Sequence, residues 1–156
     1  FMHPLSGLDH LLVMLAVGLW AGKIGGASRW QLPATFVAVM ALGAVLGMSG
    51  YSVPMIETLL AASVMTLGVL LAISIKLPRA IQVGLVALFA LFHGLAHGGE
   101  LAGVQGMAVM AGMLVATAML HALGLVLSTS RLRLPARAQS ALGCTMVVLG
   151  AWLMVA

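Results

Sequence analysis

Charge is what this chain most lacks. Only 6% of its 156 residues are charged and 63% are hydrophobic, whereas a soluble domain carries about 25% charged residues. This composition excludes a soluble globule, and the length leaves no room for a second domain of useful size. We therefore predict a single all-α transmembrane domain over residues 1–156.

Cysteine is nearly absent as well. The single residue, Cys144, excludes an internal disulfide, and its apolar surroundings predict a buried, inert thiol. The net charge of +4 does not predict nucleic-acid binding, because the basic residues lie singly or in small groups between apolar segments. A phosphate-binding loop of the form G-x-x-x-x-G-K-[ST] is also missing. ATP hydrolysis by this chain is therefore not expected.

Long apolar runs are what the sequence has instead. A helix that crosses a bilayer needs about 20 mostly apolar residues. Six segments meet this requirement, and glycines and prolines such as Gly25, Pro33, Gly50, Pro78 and Pro135 separate them. The predicted spans are Pro4–Gly22, Leu32–Met48, Val53–Ile75, Arg79–Gly98, Leu101–Leu127 and Ala138–Ala156.

The basic residues predict the orientation of this six-helix bundle. All of them lie in the first, third and fifth connections, which are therefore expected to be cytoplasmic. Both termini are then extracytoplasmic, as expected if a cleaved export signal preceded residue 1. The seven residues are Lys23, Arg29, Lys76, Arg79, Arg131, Arg133 and Arg137.

Carboxylates are the rarest charged groups, and two of the three stand beside histidines. The first cluster, in the run H-P-L-S-G-L-D-H, contains His3, Asp9 and His10. The second, in the run H-G-L-A-H-G-G-E, contains His93, His97 and Glu100. Ionisable groups at membrane depth are costly and usually serve transport or ligand binding. Imidazole and carboxylate together suit a divalent transition metal, and the predicted orientation places both clusters at the outer end.

Spacing refines this prediction. His93 and His97 are four residues apart, so they share one helix face and suit a single metal ion. Asp9 and His10 are neighbours and point about 100° apart on a regular helix. We therefore expect Asp9 to orient an imidazole through a hydrogen bond. Gly94 and Gly98 form a small-residue pair, which predicts close approach of a partner helix to the two histidines.

Three further residues have two readings each. Glu57 is either a contributor to the site or an acid favoured by a helix N-terminus. Met14 is either a soft ligand or core filler. His121 is either an inner-gate or proton-relay group or a partner of a backbone carbonyl, and we expect the carbonyl.

Two runs resemble the motifs of a known family. The run H-P-L-S-G-L-D-H-L-L-V-M-L-A-V-G-L-W-A, residues 3–21, is similar to the opening motif of the HupE/UreJ family. The run F-H-G-L-A-H-G-G-E-L, residues 92–101, is similar to its second motif. The resemblance implies a multi-pass permease of the bacterial inner membrane that takes up Ni²⁺, or Co²⁺, as substrate and has no resident cofactor. The metal-handling residues that it implies are His3, Asp9, His10, His93, His97 and Glu100.

We therefore expect a secondary permease or facilitator and not an enzyme, with the metal ion and the lipid bilayer as its partners. A homo-oligomer is compatible with this reading. The alternatives are an intramembrane zinc-dependent hydrolase, in which histidines and a carboxylate activate water, and a haem protein ligated across helices. Ligand preference does not separate nickel from cobalt.

Overall fold

The computed structural model describes residues 8–73, 75–101 and 106–155, with side chains from residue 10 onward. These residues form six α-helices and no strand, as the all-α prediction requires. The helices are α1 (Leu8–Ile24), α2 (Ser28–Met48), α3 (Ile56–Ala72), α4 (Arg79–Glu100), α5 (Gly106–Thr129) and α6 (Ala136–Leu153).

Most of the expected breakers lie between helices. Gly25 and Gly50 have positive φ angles of 83° and 91°, a conformation that favours glycine. Pro78 and Pro135 directly precede α4 and α6. The prediction that Pro33 separates two helices was wrong, because α2 begins at Ser28 and contains this proline near its start. Pro33 has no N–H to donate to Arg29 O, and α2 continues through it without that one bond.

Three of the described helices are long and apolar enough to cross a membrane by themselves, namely α2, α4 and α5. Two other apolar segments, His10–Ile24 and Ile56–Ala72, are shorter. The third predicted span, Val53–Ile75, was too long at both ends, because Met55 precedes α3 with a φ of 58° and Ile73 is extended after it. Six complete spans therefore stay a prediction.

Close helix pairs organise the bundle. A Cβ added to Gly94 would meet the backbone of Met40, and one added to Gly98 would meet that of Ala44. These contacts advance in the same direction along both helices, so α2 and α4 run parallel with their backbones in contact, as the small-residue pair predicted. In the same way Gly18 packs against the backbone of His121 and Gly22 against Ser128, so α1 and α5 are a second parallel pair.

The core draws on these pairs and on α3 and α6. Leu19 of α1, Phe36 of α2, Leu67 of α3 and Met146 of α6 are all completely buried. Cys144, in contrast, is exposed on α6. The prediction of a buried thiol was wrong, because an apolar run in a membrane helix suits lipid as well as it suits the protein interior.

Several hydrogen bonds between helices lie at one end of the bundle, here called the basic end. Lys23 Nζ at the end of α1 donates to Leu71 O of α3 at 2.8 Å. Buried Ser28 at the start of α2 donates to Gln82 Oε1 of α4, also at 2.8 Å. These contacts place the ends of α1 and α3 beside the starts of α2 and α4. The opposite end therefore holds the start of α1 and the end of α4.

Candidate metal-binding site

Three imidazoles from the two sequence clusters meet at that opposite end. The ring of His10, in the first turn of α1, lies 5.0 Å from the ring of His93 and 4.6 Å from that of His97, measured between centroids. His93 and His97 lie one turn apart near the end of α4. The structure thus joins residues that are more than eighty positions apart in sequence. We call His10, His93 and His97 the imidazole cluster, and this end the histidine end.

Burial and hydrogen bonding organise the cluster. His93 is 1% exposed and His97 is 6% exposed, so both rings lie within the protein. His93 Nδ1 lies 2.8 Å from Phe89 O, one turn earlier on α4. A carbonyl oxygen only accepts, so Nδ1 carries the proton and the lone pair is on Nε2. That is the tautomer in which histidine ligates a metal through Nε2.

The carboxylates stand differently from the imidazoles. Glu100 is the last residue of α4 and is exposed. The backbone of Asp9 belongs to α1, but its side chain lies outside the described residues, and so does the whole of His3. Glu57 is exposed in the first turn of α3, the position of an acid favoured by the helix dipole.

The described side chains alone do not form a finished metal site. Among residues 10–73, 75–101 and 106–155, no group of three or more His, Cys, Asp or Glu side chains is placed so that it could hold a metal ion. The His10 ring stands edge to face with His93 at 80° and is tilted at 47° to His97. Coordination would therefore require ring rotations, with Asp9 and His3 as the candidate additional donors.

Beneath the cluster, Met14 and His121 lie beside two residues that the sequence did not single out, Phe36 and Thr117. The Phe36 ring lies 5.7 Å from the ring of His93 and 5.0 Å from that of His121. His121 Nδ1 lies 2.6 Å from Met14 O, which confirms the expected carbonyl contact. Thr117 lies one turn before His121 on α5 and contacts the sulfur of Met14. Phe36 and Thr117 share helix faces with Met40 and His121, but only the pairing of helices shows that these faces converge.

The comparison with known proteins agrees with the two motifs. The family described as HupE / UreJ protein matches residues 1–153. This chain belongs to the HupE/UreJ family. It is 47% identical over 130 residues to Protein HupE of Rhizobium leguminosarum bv. viciae, an alignment that covers 83% of this chain and 68% of that protein. No solved structure matches.

Membership in the HupE/UreJ family narrows the classes of function. The family is implicated in nickel and cobalt transport, and its members are transport or accessory proteins rather than enzymes. Together with the three long apolar helices, membership identifies a membrane protein. Neither the family nor the described geometry supports the alternative of a zinc-dependent hydrolase. The two HupE/UreJ-like motifs are in contact, because His10 of the first lies against His93 and His97 of the second.

Proposed function

We propose that this protein takes up Ni²⁺, or Co²⁺, across the bacterial inner membrane as a secondary permease or facilitator. The ion is captured at the histidine end by the imidazole cluster together with His3, Asp9 and Glu100. The observation that carries the proposal is the contact of His10 with His93 and His97. Polar rings inside a membrane protein are costly, and apolar side chains would pack there at less cost. Their convergence from two helices therefore favours a binding role, and imidazole matches the preference of a divalent transition metal.

The proposed orientation follows from the charges. The histidine end faces the extracytoplasmic side and the basic end faces the cytoplasm, since basic connections stay inside. All six helices then cross the bilayer and both termini lie outside. An inside-negative potential favours inward movement of a divalent cation by about 4.6 kcal/mol at 100 mV, from about 2.3 kcal/mol per charge. No ATP hydrolysis by this chain is needed for accumulation.

The decisive experiment is uptake of radioactive Ni²⁺ into proteoliposomes under an imposed potential. Unlabelled Co²⁺ and Zn²⁺ serve as competitors, and the pH gradient is varied separately to detect a coupled proton. His10→Ala and His97→Ala should each lower uptake at least about 100-fold, because each removes a proposed ligand. Glu57→Gln is the matched control, since Glu57 lies at the same end but is exposed on α3. It should transport normally.

Near-normal uptake by both histidine variants, with wild-type amounts of protein in the vesicles, would refute the proposed site. No potential-driven uptake of Ni²⁺ by the wild type, and none of Co²⁺ when Co²⁺ is the labelled ion, would refute the proposed function. The competition pattern assigns the substrate, which ligand chemistry alone does not.

Sided labelling tests the orientation. In a Cys144→Ala background, a cysteine replaces either Ala27, between α1 and α2, or exposed Tyr51, between α2 and α3. A membrane-impermeant maleimide applied to intact spheroplasts should label Tyr51→Cys and not Ala27→Cys, and both should react after permeabilisation. The reverse pattern would mean that the histidine end faces the cytoplasm.

A further inference from the structure

A second group of donor atoms lies deeper in the bundle than the imidazole cluster. Met14 follows His10 by one turn on α1, which is about 6 Å along the helix axis. Thr117 Oγ1 of α5 lies 3.2 Å from Met14 Sδ and 3.7 Å from Met40 Sδ of α2. The hydroxyl thus holds two thioether sulfurs from two other helices at one point. All three side chains are buried.

His121 adds a nitrogen to this group. Its Nδ1 lies 2.6 Å from Met14 O, and because a carbonyl only accepts, Nδ1 is the protonated nitrogen. Nε2 therefore carries a lone pair, and it has no hydrogen-bond partner among the described residues although the side chain is only 1% exposed. A buried polar atom without a partner is uncommon and calls for a ligand or a water molecule.

Helix geometry places the His121 ring near the same turn as the sulfurs. Side chains of a helix lean toward its N-terminus, so the His121 imidazole lies over the turn that contains Thr117. The hydroxyl of Thr117 is in turn the group that contacts both sulfurs. The Phe36 ring stands edge-on to His121 at 5.0 Å and also contacts His93 of the imidazole cluster. A single aromatic side chain therefore separates the two groups of donors.

We propose that His121 Nε2, Met14 Sδ and Met40 Sδ form a second site, which takes a soft or borderline transition-metal cation. As a station on the transport path it rests on the proposed function, but as a binding site it stands on its own donors. Imidazole and thioether select such ions, whereas Mg²⁺ and Ca²⁺ require oxygen ligands. The three donors are neutral, so the ion is held less tightly than beside carboxylates and can leave inward.

Binding of Ag⁺ to the purified full-length chain tests the site directly. Ag⁺ is a soft ion that prefers thioether and imidazole donors, and the Cys144→Ala background removes the competing thiol. After desalting, the Met14→Leu/Met40→Leu double variant and His121→Asn should each retain one Ag⁺ fewer per chain than the parent. Leucine approximates the volume of methionine, and asparagine keeps a donor near the position of Nδ1. The matched control is Met107→Leu/Met119→Leu, two methionines exposed on α5, which should retain the parental number.

Equal Ag⁺ retention by the parent and both test variants would overturn the second site. Thermal melting in detergent shows whether a variant unfolds. In that case X-ray absorption at the silver edge identifies the atoms that bind Ag⁺ in the parent. Scattering from two sulfurs at bonding distance supports the site. A shell of nitrogen or oxygen scatterers without sulfur refutes it.

Measurements of Ni²⁺ uptake distinguish failure of the second site from failure of the proposed permease function. His121→Asn and Met14→Leu/Met40→Leu should lower Ni²⁺ uptake about tenfold, the lower range for weakening a metal site, and less than His10→Ala or His97→Ala does. Normal uptake with lost Ag⁺ binding would remove the site from the path. A parent that binds the additional Ag⁺ but transports no metal would refute the function and leave the site.

Discussion

At the basic end of the bundle polar side chains hydrogen-bond across helices, whereas at the histidine end three imidazoles lie against one another. The bonds from Lys23 to Leu71 and from Ser28 to Gln82 join four different helices. A cavity of about 380 Å³ at that end is lined by three cations, so it is not a candidate binding site for a metal ion. The difference is that polar side chains join helices at one end, whereas imidazoles from two helices gather at the other.

The close packing of α2 on α4 is common to both ends and gives the largest expected effect. In Gly94→Val the new side chain would overlap the backbone of Met40 and Ala44, which no side-chain rotation relieves. Overpacking costs about 1–3 kcal/mol where side chains can adjust, and we expect more than about 3 kcal/mol here. Thermal melting in detergent should show the loss, together with loss of all uptake.

Gly84 supplies the control on the same helix. A Cβ at this position has nothing within 4 Å, so Gly84→Ala should melt at or slightly above the wild-type temperature. Wild-type stability in Gly94→Val would show that α2 and α4 do not touch through their backbones, and the position of His93 would then need another explanation.

A crossed pair of variants sharpens the contrast between the ends. Ser28→Ala leaves the Gln82 oxygen without the donor that lies at 2.8 Å, at a cost of about 1–3 kcal/mol for a buried group. Its melting temperature should fall while uptake per folded molecule stays normal. His97→Ala should do the reverse, with little change in melting and loss of uptake. If both variants lost stability and kept uptake, the imidazole cluster would be structural.

Much of the fold was predictable, because glycine and proline mark helix ends through local backbone chemistry. Gly25, Gly50, Pro78 and Pro135 all lie where a helix begins or ends. The orientation of each helix about its own axis was not predictable. Lipid and protein interior are equally apolar, so the run around Cys144 did not reveal that this residue is exposed.

The candidate site shows the same division. Rare, costly groups identified His10, His93 and His97, and the rule of alternating helix direction placed them at one end, where the structure brings them together. Met40 and Thr117 were not found, because a methionine or threonine in a membrane helix is ordinary until a second helix faces it. Only long-range packing carries that information.

The partly buried Lys23 provides a smaller test at the basic end. Lys23→Met keeps the length and much of the apolar contact of the side chain but removes the ammonium that donates to Leu71 O at 2.8 Å. A hydrogen bond from a charged donor contributes about 1.5–3 kcal/mol when buried, and less here because the ammonium is only partly buried. Melting should drop accordingly, and Ni²⁺ uptake per folded molecule should be unchanged. A selective loss of uptake would place Lys23 on the ion path and end the division between the two ends.

Arg79 and Gln31 give the smallest expected effect. Arg79 Nε donates to Gln31 Oε1 at 2.6 Å, but the bond is exposed, so water replaces it when either partner is removed. Surface substitutions of this kind change stability by at most about 0.5 kcal/mol. Arg79→Gln should therefore melt close to wild type and transport normally, while the remaining basic residues preserve orientation. Because Arg79 and buried Ser28 both join α2 to α4, a large loss in Arg79→Gln beside a small loss in Ser28→Ala would show that charge rather than burial stabilises the basic end.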